Sequence, residues 1–220
     1  IVQNVISEIK EKGISEYIRV GDDFFKLIKK QNRYGVEYTK LKSRKRVTIV
    51  DLHGKDAIKD IKHYEDFCLI PDNVGEVEIN DDEYNIYAKF AHKPIKGEWK
   101  WTKTLLTHIF GDQYEQGLKY LQALYLHPKK PLPVLALVST ERATGKTTFL
   151  NYIEMLFGEN SVQVEPEVIG SAFNSEYAYK NIICIDETVI DKRSGTEKIK
   201  SLSTKKSISV NMKNVAQFTL

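Results

Sequence analysis

Three features of the sequence predict an α/β chain. A continuous apolar run, Leu132 to Val138, leads into Ser139-Thr140-Glu141-Arg142-Ala143-Thr144-Gly145-Lys146-Thr147-Thr148 and then into apolar residues at helical spacing. A second apolar run, Ile182-Ile183-Cys184-Ile185, ends on Asp186-Glu187, about forty residues after the Gly145-Lys146 pair. Ahead of both, residues 1–97 mix short strand-like and helix-like patterns, as a small α+β unit does.

Composition sets the outer limits. The chain has 220 residues, 33 Lys+Arg against 30 Asp+Glu, a net charge of +3 and 41% hydrophobic residues. With a mean hydropathy of -0.39 this is a folding chain, long enough for one large domain or two small ones, and too apolar for disorder. No apolar run approaches the ~20 residues of a membrane span, and no charged-then-apolar leader opens the sequence. Cys68 and Cys184 alone exclude a disulfide scaffold or a cysteine zinc cluster, and a reducing, cytoplasmic compartment is expected. The near-balanced charge excludes a simple polycationic coat for nucleic acid but says nothing of local patches.

In residues 1–97, Val2, Val5, Ile6 and Ile9 recur at helical spacing. Residues 16–20 and 24–28 read as two strands of a hairpin turned at Gly21-Asp22-Asp23. Tyr34 to Leu41 alternates weakly, Val47-Thr48-Ile49-Val50 predicts a β-branched strand, Ala57 to Ile61 a brief helix, and Tyr84 to Phe90 a strand. Residues 98–130 are a helical lead-in. Thr102 to Phe110 and Tyr114 to Leu126 each present one apolar face, and His127-Pro128 ends the second helix because proline disfavours helix before it. Trp99 and Trp101 flank Lys100 and could stack on bases, but the favoured expectation is that they are buried, anchoring the N-terminal unit to the helices below. Leu132 to Val138 predicts a strand covered on both faces.

The strand–loop–helix context gives Gly145-Lys146-Thr147 its meaning. Backbone amides from Ala143 and Thr144 through Thr148 can wrap a phosphate at a helix N-terminus, where the partial positive charge of the helix adds to them. Lys146 would reach the β- and γ-phosphates of ATP, and the Thr147 hydroxyl would ligate Mg2+. One departure is that Thr140 stands where the usual motif has its first glycine. Asp186 fits the carboxylate that holds Mg2+, and Glu187 the base that orients and deprotonates the attacking water. Between Lys192 and Lys213 seven basic residues face one acid, Glu197, a local excess of six. The segment reads as a helix carrying Ile199 and Leu202, a strand Ser207 to Val210, a turn at Asn211-Met212-Lys213-Asn214, and a returning strand. Composition alone favours a solvated charged face there, and the same holds for Lys40, Lys42, Arg44, Lys45 and Arg46.

Residues 98–220 resemble superfamily 3 helicases, in the branch of phage and plasmid primase-helicases related to the poxvirus primase-helicase. The likeness rests on Trp101 and His108-Ile109-Phe110, on Thr144 to Asn151, on Ala172-Phe173-Asn174, on Ile185-Asp186-Glu187, on Lys198 to Leu202, and on Ile208 to Lys213. It implies an AAA+ type, three-layer P-loop ATPase core over residues 131–220. It also implies a ring of six copies and ATP-driven movement on single-stranded DNA, with RNA as a possible track. Gly145, Lys146, Thr147 and Thr148 take the Walker A role, and Asp186 and Glu187 the Walker B role. The hairpin that meets nucleic acid falls at about Ser207 to Phe218, with Lys213 near its tip, and Lys213, Asn214, Lys205 and Lys206 are the expected nucleic-acid contacts. By the same likeness, the sensor strand and arginine finger would follow Leu220, so a piece of a longer chain is expected. A P-loop kinase of a nucleotide or small molecule is the rival, though residues 158–180 lack the arginines of an acceptor lid. A non-catalytic nucleic-acid-binding module is the other.

Overall fold

A computed structural model describes residues 14–75, 81–90, 92, 94–186, 193–204, 209–211 and 218–219. The helix expected from Val2 to Ile9 lies outside them. The chain divides into two units, Ile1–Cys68 with Glu78–Ile86, and Leu69–Val77 with Tyr87–Leu220.

In the first unit β1 (Tyr17–Val20) and β2 (Asp23–Gln31) form the expected hairpin, pairing Val20 with Asp23 around Gly21 at φ 55°. Arg19 braces that turn by donating to the Gly21 carbonyl at 2.7 Å and to Asp22 at 2.8 Å. β2 then pairs with β3 (Glu37–Arg44) over eight residues. The Asn32 side chain closes their turn by accepting from the amides of Tyr34 and Val36. β4 (Lys62–Tyr64) lies parallel to β1, giving the order β3-β2-β1-β4.

The β-branched stretch Val47 to Val50 is not a strand. It lies in helix α1 (Arg46–His53), where fully buried Ile49 packs with Tyr17, Phe24, Ala57 and Ile61. Val47 and Leu52 are 68% and 66% exposed. Burying Ile49 outweighs the intrinsic preference of the β-branched residues, which amounts to ~1 kcal/mol at most. A 3-10 turn, Asp56–Asp60, supplies the brief helix expected at Ala57. β5 (Asp66–Cys68) pairs in parallel with β6 (Glu83–Asn85), and Phe67 meets Phe25 and Tyr84 edge-on. The expected strand from Tyr84 to Phe90 is therefore shorter, ending at Asn85.

The second unit is built on three helices: α2 (Lys100–Phe110), α3 (Tyr114–Leu126) and α4 (Lys146–Phe157). Their apolar faces meet in a core of Leu106, Leu121, Phe149, Ile153, Phe157 and Cys184. Gly117 of α3 sits where a Cβ would stand 2.4 Å from the Phe110 ring, and that ring packs edge-on against Phe149. β7 (Ser161–Val164) and β8 (Ile182–Ile185) pair in parallel, joined through the short helix α5 (Pro166–Gly170). Gln163 ties β7 to α4 by donating to Asn151 and Glu154. Helix α6 (Arg193–Thr204) follows, with Ile199 and Leu202 against the Val164, Ile169, Tyr177 cluster. β9 (Ser209–Val210) pairs antiparallel with β10 (Phe218–Thr219), so the chain does return on itself here.

Two expectations fail in this unit. Leu132 to Val138 is not a covered strand: no described residue forms a ladder with it, and Val134 and Val138 are 61% and 90% exposed. Apolar composition suits a buried strand, but a strand exists only where a neighbour supplies the hydrogen bonds. Trp101 is 83% exposed rather than buried.

Candidate functional site

The loop between Val138 and α4 takes its shape from two left-handed residues. Gly145 has φ 84° immediately before the first residue of α4, and Ala143 has φ 56°, the one non-glycine with positive φ among the described residues. A side-chain-bearing residue in that region costs ~1–2 kcal/mol, the kind of strain that collects at functional sites. A Cβ at Gly145 would meet Ile109 at 3.5 Å and His108 at 3.6 Å, ordinary contact distances, so its positive φ and not crowding is what favours glycine there. The amides at the start of α4 are the unpaired donors of a helix N-terminus.

Side chains close around this loop. The Lys146 ammonium donates to the Ser139 hydroxyl and, at 3.1 Å, to that of Thr144. Ser139 in turn donates to the Glu141 carbonyl at 2.8 Å, and its bond with Lys146 holds the two ends of the loop together. His108, near the end of α2, places Nε2 3.2 Å from the Thr144 carbonyl oxygen. A carbonyl only accepts, so this contact puts a proton on Nε2. Beside Lys146 lies a cavity of about 400 Å3, lined by His108, Phe110, Gln113, Leu135 and Ser139 among others.

Across from the loop, Thr147 donates its hydroxyl hydrogen to Asp186 at 2.9 Å. Thr147 sits on the second residue of α4 and Asp186 on the residue following β8, so packing of β8 and α4 into one core brings them together. These are two hard oxygen donors, the kind Mg2+ takes, and Mg2+ commonly uses one or two protein oxygens with phosphate and water completing its shell. The described residues contain no group of three or more His, Cys, Asp or Glu that could hold a metal by themselves. Thr148 is exposed on the first turn of α4. Glu187, Lys205, Lys206, Lys213 and Asn214 lie outside the described residues.

The fold resembles the C-terminal region of NrS-1. The apo structure of that region, spanning residues 305–718, superposes with a TM-score of 0.66 at 15% identity, covering 96% of this chain and 54% of the other. A second apo structure, its A form, gives 0.65 at 17% identity, with 90% and 49% covered. The chain thus spans about half the length of the solved chains it resembles. Residues 137–220 match a family described as a family of unknown function (DUF5906). Among curated proteins none matches.

Ser139, His108 and Asn174 fall within stretches singled out in the sequence, but their contacts emerge only in three dimensions. Asn174 is 6% exposed and donates through Nδ2 to the Ser209 carbonyl at 2.7 Å. Its Oδ1 accepts from the Asn211 amide at 2.7 Å, while Asn211 Nδ2 reaches back to the Ala172 carbonyl. The loop after α5 therefore clamps the strand β9, which opens the segment carrying Lys213. A single asparagine in a polar loop carries no period or spacing that announces this role.

Proposed function

We propose that residues 131–220 belong to an AAA+ type ATPase that hydrolyses Mg-ATP to move on single-stranded DNA, as one subunit of a hexameric helicase in a viral or mobile-element replication protein. The observation that carries this reading is the Thr147–Asp186 hydrogen bond. It brings a hydroxyl and a carboxylate from separate elements together beside the loop that carries the left-handed Ala143 and Gly145, and these two oxygens would hold a phosphate-bound cation. The likeness to the NrS-1 C-terminal region supports the fold from which this is argued.

In this mechanism the left-handed Ala143 and Gly145 aim successive loop amides at the β-phosphate, and the N-terminus of α4 favours its negative charge. Lys146 exchanges its Ser139 and Thr144 hydroxyl partners for phosphate oxygens and offsets charge on the transferring group. Thr147 and Asp186 would hold Mg2+, which when bound neutralises charge across the β- and γ-phosphate oxygens. Glu187, the next residue in the chain, would take the proton of the attacking water. The Asn174 clamp would hand movement of this core to the segment bearing Lys205, Lys206, Lys213 and Asn214.

The test is ATP turnover by the longest available form of the protein, with and without single-stranded DNA. Stimulation by DNA, lost in Lys146→Ala and in Glu187→Gln, supports the reading. Turnover that requires a small-molecule acceptor makes the protein a kinase, and nucleic-acid binding without turnover leaves a binding module.

A further inference from the structure

The β2–β3 hairpin of the first unit carries a basic run that the nucleotide site does not use. Its register pairs Phe24 with Arg44, Lys26 with Lys42, Ile28 with Lys40 and Lys30 with Tyr38. Directly opposed residues of an antiparallel pair point to the same side, as do alternate residues of one strand. One side therefore bears Lys26, Lys30, Lys40, Lys42 and Arg44 with no acid. The other bears a single lysine, Lys29, with Asp23 and Glu37. Strand periodicity has sorted five of the six basic residues on the two strands onto one side.

That side is open away from its base, toward the turn. Phe24, at its base, is buried in the core with Ile49, and the β1–β2 ladder runs as far as Lys26, with one further backbone bond from the Leu27 amide to the Glu16 carbonyl at 2.7 Å. Beyond that pair the hairpin is a two-stranded ribbon with β3 as its edge. Lys30, Lys40 and Lys42 are exposed, and none has an ion-pair partner among the described residues. Lys26 is held by Glu16 at 3.1 Å, but Lys42, directly across from it, has no such acid among the described residues. Opposed like charges destabilise a hairpin, so the arrangement costs stability unless an anion covers it. Alternate residues along the edge stand ~6.8 Å apart, which makes Lys40, Lys42 and Arg44 a regular row. Half-buried Tyr38 lies on the same side, between this row and Lys30.

A row of cations with an aromatic ring among them is the equipment of a surface that follows a sugar–phosphate backbone and stacks a base. We propose that this side of the β2–β3 hairpin is a nucleic-acid-binding surface for single strands, separate from the segment bearing Lys213 and independent of nucleotide.

The experiment is fluorescence anisotropy of the full chain without nucleotide, against a labelled single strand of about 30 nucleotides, a duplex of the same length, and anionic phospholipid vesicles. The triple variant K30E/K40E/K42E is compared with K103E/K119E/K129E, which carries the same net charge change on exposed lysines elsewhere. Single-strand binding should weaken at least ~10-fold in the hairpin variant, and its log–log salt slope should become shallower by about two, as expected for three lost phosphate contacts. The control should move less than ~2-fold. Tyr38→Ala should weaken single-strand binding ~5-fold or more and leave the duplex unaffected. K30Q/K40Q/K42Q provides the same comparison if charge reversal unfolds the hairpin by circular dichroism. Equal loss in the hairpin and control variants, no oligonucleotide binding by the parent, or capture by vesicles alone would each overturn the proposal.

Discussion

The Thr147 hydroxyl and the Asp186 carboxylate, thirty-nine residues apart in sequence, meet at 2.9 Å where the start of α4 passes the end of β8. If this pair holds Mg2+ on bound nucleotide, the isosteric change Asp186→Asn should weaken the Mg2+ dependence of nucleotide binding ~10- to 100-fold without lowering Tm. Thr147→Ser should retain it, because the hydroxyl is kept. Titration of Mg2+ against a fluorescent ATP analogue reads both, and an Asp186→Asn protein with parental Mg2+ affinity would remove the carboxylate from the site.

His108 should act on the loop rather than on the chemistry. Losing its contact to the Thr144 carbonyl removes one neutral hydrogen bond, ~1 kcal/mol or about fivefold. His108→Ala should therefore raise the KM for ATP several-fold with little change in kcat, and His108→Gln, which keeps a donor, should recover part of it. Steady-state kinetics at fixed Mg2+ separate the two constants; a fall in kcat alone would contradict the role.

Gly117→Ala sets two known effects against each other. Alanine gains ~1 kcal/mol in helix propensity, but its Cβ would stand 2.4 Å from the Phe110 ring, which Phe149 holds edge-on. Overpacking costs ~1–3 kcal/mol, so the variant should be destabilised on balance. Urea unfolding of Gly117→Ala and of Gly117→Ala/Phe110→Leu tests this, since trimming the ring should restore the gain.

Burial pushes the Cys184 thiol up to about 11 from an ordinary 9.0, with the Glu154 charge adding to the effect. The folded state keeps its proton longer than the unfolded chain does, so the stabilising contribution is complete below pH 9. It is lost as pH rises from 9 through 11, and the loss approaches about 3 kcal/mol once pH passes 11. Urea midpoints of the parent and of Cys184→Ala across this range should diverge accordingly. Parallel curves would mean that the thiol is not shielded in solution.

Much of the second unit was legible from local pattern. Tyr114 to Leu126 reads as one helix because its apolar residues repeat at 3.6, and the helix begins and ends there. Gly145-Lys146-Thr147 is recognisable because a left-handed glycine before a helix leaves a chemical signature in the residues themselves. Val47 to Val50 misled for the opposite reason: β-branching states a weak preference, and the burial of Ile49 beside Tyr17 overrode it. The contacts of His108 with Thr144 and of Asn174 with Asn211 left no trace in spacing, because their partners lie 36 and 37 residues away.

Residue order alone was enough to specify the helices of the lead-in, the loop-to-helix junction at Gly145-Lys146 and the turn at Gly21, since each depends on neighbours within about one turn of chain. Tertiary packing decided whether an apolar run such as Leu132 to Val138 has a ladder partner, and whether Thr147 lies near Asp186. It also decided which basic residues of the β2–β3 hairpin share a side. Hydrogen-bond partners, cross-strand register and burial are properties of pairs distant in sequence, and they are set by the competition among all such pairs when the chain closes on its core.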